Sequence, residues 1–470
     1  MSSNGANSVP PAPNAPKSGI RTVLQYTGIP PSWLDKRPRL PSRNWLIFLS
    51  VTSVVTGYYM YDRQQCKKIR QEYVDKVKDL AVQPMGSMEL PRLVTVYGAR
   101  WPGDQDYDRS MKYFRKYVKP VLVAAAIDYD MVKGRRHGDI ARLVAEKIRK
   151  ERRILAGLDQ PFSGPMPLPG SSFEEKHKRE LEGGIILVGR HTLKEYMAGL
   201  KRGWTEGLEH VDREEQLARV LESDGRIPSS KPFSMLTPAL RAPPPPPTSS
   251  ESIPAHLNAP PAEIPLQPPM LLVSFTNYIG FTQIPIMIWD FFNERYKVRD
   301  GAEAAYRLVM GNTRPFTAPP AEALGDLQDA LDPAQPQKPL LAELTPTDLD
   351  FDREAESYYK KSVVREFLSD IESARKEYYT SLAKKLETAR ALARGTREPT
   401  KEEQENPPPT EVELRAERMQ KELRWTADEE GWDIVRPDKD VAWDERFRNR
   451  LRVYVDPPVS TAETTDSHTS

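Results

Sequence analysis

Cysteine is all but missing from this chain. In 470 residues Cys66 stands alone, so no internal disulfide and no cysteine-built metal site can form. Histidine is scarce as well. The six, at 137, 177, 191, 210, 256 and 468, fall into no His-Glu-x-x-His or comparable ligand spacing. Of them only His191, just after an apolar tetrapeptide, could stand near a site. A dominant charge sign is also missing. The 68 Lys and Arg against 67 Asp and Glu leave a net charge of +1, which offers no basic field to nucleic acid. There is no Gly-x-Ser-x-Gly elbow for a hydrolase and no Gly-x-Gly-x-x-Gly after a strand. Gly98 and Gly103 have the spacing of a phosphate loop, but Asp104 and Gln105 follow where Lys and Ser or Thr are required. The expectation is a non-enzyme with no catalytic, cofactor-binding or metal-binding residues and no cofactor.

Long apolar runs are missing too, with one exception. Most of the chain is polar, with mean hydropathy −0.62, yet Trp45 to Tyr61 (WLIFLSVTSVVTGYYMY) holds no charge. As a helix it would cover roughly 25 Å at about 1.5 Å per residue, the short end of what spans a hydrocarbon core. Trp45 at one edge and Tyr58, Tyr59 and Tyr61 at the other sit where aromatic belts sit, and Arg43 and Arg63 close the segment. These six residues are the expected membrane anchor. A buried core helix is the alternative. A cleaved signal peptide fits poorly, because the run starts 44 residues into the chain and lacks a small-x-small site. Residues 1–44 carry six positive residues and one acid, and residues 62–81 carry six with four acids. The counts tie, and the clustering before Trp45 favours the N-terminus on the negative-potential side. Cys66, just past the anchor, reads as a bystander or, less simply, a palmitoylation site.

What the chain has in excess is proline, 45 in all, and that marks linkers. The expected organisation is a basic, mostly disordered segment at 1–44, the transmembrane helix at 45–61 and a stalk at 62–91. An α/β domain at 92–311 follows, then a flexible linker at 312–350, helices and returning strands at 351–457, and a disordered tail at 458–470. Within the domain, residues 228–269 hold 14 prolines in 42 positions and read as a polyproline insert. Strands are expected at 93–97, 121–127, 185–188 and 270–275. Helices are expected across 107–118, from Asp139 as N-cap to Ile148, at 192–201 and at 286–296. That alternation predicts the α/β class with a mostly parallel sheet. Strand, loop and helix account for 270–296 better than a second span, since Asn277, Gln283 and Pro285 would fall mid-bilayer. Val364, Phe367, Leu368, Ile371, Ala374, Tyr378, Leu382, Leu386 and Ala389 predict a long amphipathic helix, packed internally or available to another subunit. A helix near 410–425 and short strands at 432–435 and 451–455 complete the pattern. Lys133, Arg135, Arg136 and His137 form a cluster that could meet anionic lipid or lie on a solvated loop.

Several segments together resemble a known family. Gly28-Ile29-Pro30, Leu40-Pro41-Ser42-Arg43-Asn44-Trp45 running into the aromatic-ended run, and Tyr61-Asp62-Arg63 are similar to the anchor of the fifty-four-kilodalton subunits of the mitochondrial inner-membrane carrier translocase. So are the Leu93–Arg100 strand, IILVGRH at 185–191, Tyr278-Ile279-Gly280-Phe281 and Trp432-Asp433-Ile434-Val435-Arg436-Pro437. The resemblance spans about 20–460. It implies a single-pass inner-membrane protein with its N-terminus in the matrix and its large domain in the intermembrane space. It further implies a non-enzymatic role in inserting multi-spanning carrier precursors, beside a pore-forming subunit and small intermembrane-space chaperones. No catalytic residue is implied. A membrane-anchored lipid kinase-like or nucleotide-binding enzyme is the alternative that the alternating pattern leaves open.

Overall fold

The computed structural model describes residues 42–84, 86, 91–159, 173–209, 212–224, 253–319, 347–400, 403–404 and 406–458. The segment before residue 42, the five-proline run at 243–247, most of the 312–350 linker and the tail after 458 lie outside the described residues. The chain divides into two units, Met1–Tyr61 and Asp62–Ser470.

The apolar run falls in helix α1 (Arg43–Ala81), which begins in the first unit. There Trp45, Phe48, Val51 and Val54 are exposed. Two hydroxyls of the run are satisfied within it: Ser50 Oγ donates to the Ile47 carbonyl at 2.8 Å and Thr52 Oγ1 to that of Phe48 at 2.9 Å. Among the described residues no helix is long and apolar enough to cross a membrane. Ser50, Thr52, Ser53, Thr56 and the tyrosines dilute the run, and the helix does not stop at 61 but continues into charged sequence.

In the second unit the rest of α1 is no free stalk. Asp62, Cys66, Ile69 and Val77 are buried, and Cys66 and Ile69 pack with Tyr117 and Val298. Burial raises the Cys66 thiol pKa, aided by Asp62, so a modifiable surface cysteine is not what the fold presents.

The chain then builds β1 (Leu93–Gly98), α2 (Arg109–Tyr113), a π-helical turn at Phe114–Val118, α3 (Lys119–Ala124), β2 (Asp128–Lys133), α4 (Asp139–Leu155), α5 (Phe173–Gly183), β3 (Ile185–Val188), α6 (Arg190–Thr205) and α7 (Arg213–Ser223). It continues with α8 (Ala255–Asn258), β4 (Met270–Val273), α9 (Ile284–Phe292), α10 (Glu294–Met310), β5 (Thr313–Pro315), α11 (Lys361–Ala393), α12 (Glu411–Val435) and β6 (Arg452–Tyr454). The sheet order is β2-β1-β3-β4-β6-β5. Every pair is parallel except β5 against β6. Alternation divides the side chains between two cores. Val94, Val96, Ile186, Val188, Leu271 and Val273 face α3 and α10, whereas Ile185, Leu187 and Met270 face α4 and α6. Burial on both faces is what a parallel sheet requires. The expected α/β class with a mostly parallel sheet is observed.

Three local expectations need correction. Val121–Ile127 is not a strand: Pro120 starts α3, and Val121 and Leu122 enter the core from a helix. Ala126, at φ 55°, then turns the chain into the true second strand. That strand, Asp-Tyr-Asp-Met-Val-Lys, lies at the sheet edge, where charge is tolerated and the apolar signature is lost. Trp432–Val435 is the last turn of α12, ended before Pro437. Asp139 is the first helical residue, not the cap. Gly138 caps α4 at φ 80°, while the Asp139 carboxylate accepts from the N–H groups of Arg135 and Arg136 at 3.0 and 2.9 Å. The long amphipathic helix forms as α11, and Tyr378, Leu382, Leu386 and Ala389 pack on Leu414 of α12, so its stripe is used internally.

Candidate functional site

The topology points to one place. The chain crosses from β1 outward to β2, then back past β1 to β3, so the connections reverse at the carboxyl ends of β1 and β3. In open α/β sheets ligands bind in the crevice at such a switch point. Here Gly98-Ala99-Arg100-Trp101 leaves β1, and Gly189-Arg190-His191 opens α6, whose N-terminus favours an anion.

The crevice is filled by the chain itself. Trp101 is fully buried and meets His191, Phe275 and Tyr359 edge-on, with ring centroids 5.2, 5.6 and 5.0 Å apart. Thr192 Oγ1 accepts the Ala99 N–H at 3.0 Å and donates to the Val188 carbonyl at 2.6 Å. His191 Nε2 lies 3.2 Å from the Ala99 carbonyl, which assigns it the proton. Burial lowers the His191 pKa to about 4. The residue singled out from sequence is therefore a neutral core histidine under Trp101.

Where an anionic ligand would sit there is a carboxylate of the protein. The segment containing the 3₁₀ turn Arg353–Tyr358 delivers Glu356 to the N-terminus of α6. Its Oε1 accepts from Arg190 Nε at 2.6 Å and lies 2.5 Å from Lys194 Nζ. All three side chains are buried. Arg190 also donates to the Leu349 and Phe351 carbonyls at 2.7 and 3.0 Å, and Lys194 to that of Arg436 at 2.8 Å. Burial lowers the Lys194 pKa, and Glu356 opposes that change. No local spacing announces this triad, because Glu356 lies 166 positions from Arg190. Its only trace in the sequence is two cations at i and i+4 in the first turns of α6.

Other candidates resolve as structure. Asp104, in the near-miss phosphate loop, accepts from Asn277 Nδ2 at 2.6 Å and pairs with Arg109. The basic cluster is dispersed: Lys133 pairs with Asp108 at 3.0 Å, and His137 is buried between Phe367 and Trp432. Among the described residues no group of His, Cys, Asp and Glu could hold a metal ion. Of the six residues expected to anchor the chain, Arg43, Trp45, Tyr58, Tyr59 and Tyr61 belong to the first unit. Arg63 belongs to the second, ion-paired to Glu294 and lying 5.6 Å from the Phe291 ring centroid, and it takes no part in the crevice.

One titration is measurable here. Glu195 on α6 is fully buried, its Oε2 accepting the Ile140 N–H at 3.0 Å. Burial pushes its pKa up to about 8. A raised folded-state pKa means that Glu195's contribution is fully present below the ordinary carboxylate range and is lost as pH rises through about 8. A tenfold difference in proton affinity between folded and unfolded chains is worth about 1.4 kcal/mol, so Glu195→Gln should gain on the native chain by roughly 2–4 kcal/mol between pH 5 and pH 8. Urea unfolding of the full chain at both pH values reads the difference. Equal pH dependence in the two proteins would mean that Glu195 is ionised when folded.

Comparison with known proteins places the chain among import subunits. Residues 22–232 match the family described as inner membrane protein import complex subunit Tim54. The mitochondrial import inner membrane translocase subunit TIM54 of Cryptococcus neoformans is 40% identical over 473 residues, covering 95% of this chain and 96% of the relative. Its counterpart in Aspergillus oryzae is 31% identical across 60% of this chain and 68% of the relative. That of Candida albicans is 29% identical across 64% of this chain and 86% of the relative.

Proposed function

The chain belongs to the Tim54 family of inner-membrane import subunits, and from that premise we propose that it is a non-enzymatic scaffold of the mitochondrial inner-membrane translocase for multi-spanning carriers. The observation that carries the reading is the similarity to a TIM54 subunit over nearly the whole of both chains. The closed crevice supports a role without catalysis: an internal carboxylate and a buried indole stand where a nucleotide would bind. It also weighs against the nucleotide-binding alternative.

In this proposal residues 45–61 are a short single-pass anchor. The Ser50 and Thr52 hydroxyls bond to the helix's own carbonyls, which lowers the cost of placing them in lipid. Arg43, Trp45, Tyr58, Tyr59, Tyr61 and Arg63 would mark its two interfaces. The N-terminus would lie in the matrix and the Asp62–Ser470 unit in the intermembrane space. There that unit would hold small chaperones and their carrier precursors beside the pore-forming subunit.

Deleting residues 82–470 while retaining the anchor is expected to strip the chaperones from the complex and to abolish carrier insertion. Retention of both functions would end the scaffold reading. Orientation is checked with tags at both termini. The C-terminal tag should become protease-sensitive only when the outer membrane is ruptured, and the N-terminal tag should stay protected throughout. A C-terminal tag that is still protected in mitoplasts would place the large unit in the matrix.

A further inference from the structure

Helix α9 reads IPIMIWDFF, eight apolar residues with one charge, and it buries none of them fully. Ile284, Met287, Ile288 and Phe291 recur at i, i+3, i+4 and i+7 and are all exposed. Trp289 at 65% and the preceding Phe281 at 91% exposure widen that stripe. Among the other described residues of this unit, large exposed apolar side chains are scattered, whereas a contiguous stripe marks an interaction surface.

The helix is held firmly in this pose. Gln283 Oε1 accepts the Ile279 N–H at 2.7 Å, and its Nε2 donates to the Tyr358 carbonyl at 3.2 Å. Asp290 pairs with Lys297 at 2.7 Å. Polar pegs thus fix both ends while the apolar stripe faces outward.

The position of the far end identifies the occupant. Arg63 donates to the Phe291 carbonyl at 3.4 Å and stacks on its ring, and the Asp62 carboxylate accepts the Arg295 N–H at 3.4 Å. Asp62 and Arg63 directly follow the apolar run, so if that run enters a bilayer, they stand at headgroup level. A nine-residue helix is only about 13 Å long, so no part of α9 lies far from that level. The polar groups at this end are paired among themselves, Arg63 and Lys116 with Glu294 and Lys297 with Asp290, so the stripe rather than a net charge is what the surface offers. An apolar stripe rimmed by such groups at this level fits the headgroup–acyl boundary of a phospholipid surface.

We propose that α9 is a second, non-spanning membrane contact, its Ile284–Ile288–Phe291 stripe seated at the headgroup–acyl boundary of the bilayer that the anchor enters. The proposal rests on the anchor reading, and the experiment separates the two. The full chain with Cys66→Ser carries a single environment-sensitive fluorophore at Val54→Cys, Ile288→Cys or, as an exposed control, Ser369→Cys. Each is reconstituted into phosphatidylcholine–cardiolipin vesicles. Quenching by nitroxides on the acyl chains should exceed quenching by aqueous iodide roughly threefold at 54 and 288 and be reversed at 369. Lipid quenching at 54 with iodide quenching at 288 overturns the α9 contact and leaves the anchor. Iodide quenching at both overturns both, and lipid quenching at 288 alone keeps the contact and removes the anchor. Shielding at 288 that appears only when other translocase subunits are added makes the occupant a protein and also overturns the proposal.

Discussion

Glu356→Ala should destabilise the full chain by about 3–5 kcal/mol, the cost of breaking a buried ion pair from one side. Arg190 and Lys194 are both buried and share this one carboxylate. With it gone, two cations face each other at the N-terminus of α6, where the helix dipole already disfavours positive charge. The carbonyls of Leu349, Phe351 and Arg436 remain as acceptors but carry no charge to balance them. Thermal unfolding of the detergent-solubilised chain should show a fall of roughly 5 °C, allowing for the size of the unit. Glu356→Gln keeps an acceptor and should lie between the two. Sulfate should recover part of the loss in Glu356→Ala and none in the native chain, because only the variant leaves an unpaired dication. A loss below about 1 kcal/mol would mean that the pair is solvated and that the crevice is not plugged by Glu356.

The same triad shows why the sheet could be read from sequence and its plug could not. Ile185–Val188 and Met270–Val273 are short, apolar and bounded by turns, so local pattern and tertiary role agree. In Val121–Ile127 they disagree. An unbroken apolar run suits a central strand or a core-facing helix, and Pro120 decided for the helix. The edge strand Asp128–Lys133 lost its signature because, among the described residues, no strand pairs along its outer side. Pairings such as Arg190 with Glu356 depend on where a distant segment folds back, and no local spacing encodes that. The apolar run at 45–61 was legible as composition, yet hydropathy leaves it short of a span among the described residues. The exposed stripe of α9 was visible as an apolar helix, but its outward direction required the three-dimensional packing.

Gly431→Ala should cost about 3 kcal/mol, despite improving helix propensity by about 1 kcal/mol. Gly431 lies inside α12, where glycine is normally a weakness. A Cβ there would stand 1.9 Å from the His137 carbonyl oxygen and 2.2 Å from its carbon, and the Gly138 nitrogen is 2.9 Å away. These are backbone atoms, and Gly138 caps α4 at φ 80°, so nothing flexible can yield. The helix must back away from the 137–138 turn. Its neighbours Phe367 and Trp432, whose rings are 4.9 Å apart and flank His137, would then lose their packing. The effect should also reach the crevice. Arg436, one residue past the end of α12, supplies the carbonyl that holds Lys194. Moving α12 loosens the Lys194–Glu356 contact, so Gly431→Ala combined with Glu356→Ala should cost less than the sum of the two. A coupling of about 1 kcal/mol is the expected size for sites sharing a partner. Unfolding of the two single variants and the double variant measures it. Strict additivity would show that α12 and the plugged crevice are energetically independent, and a Gly431→Ala variant as stable as the native chain would rule out the close approach of α12 to the α4 cap.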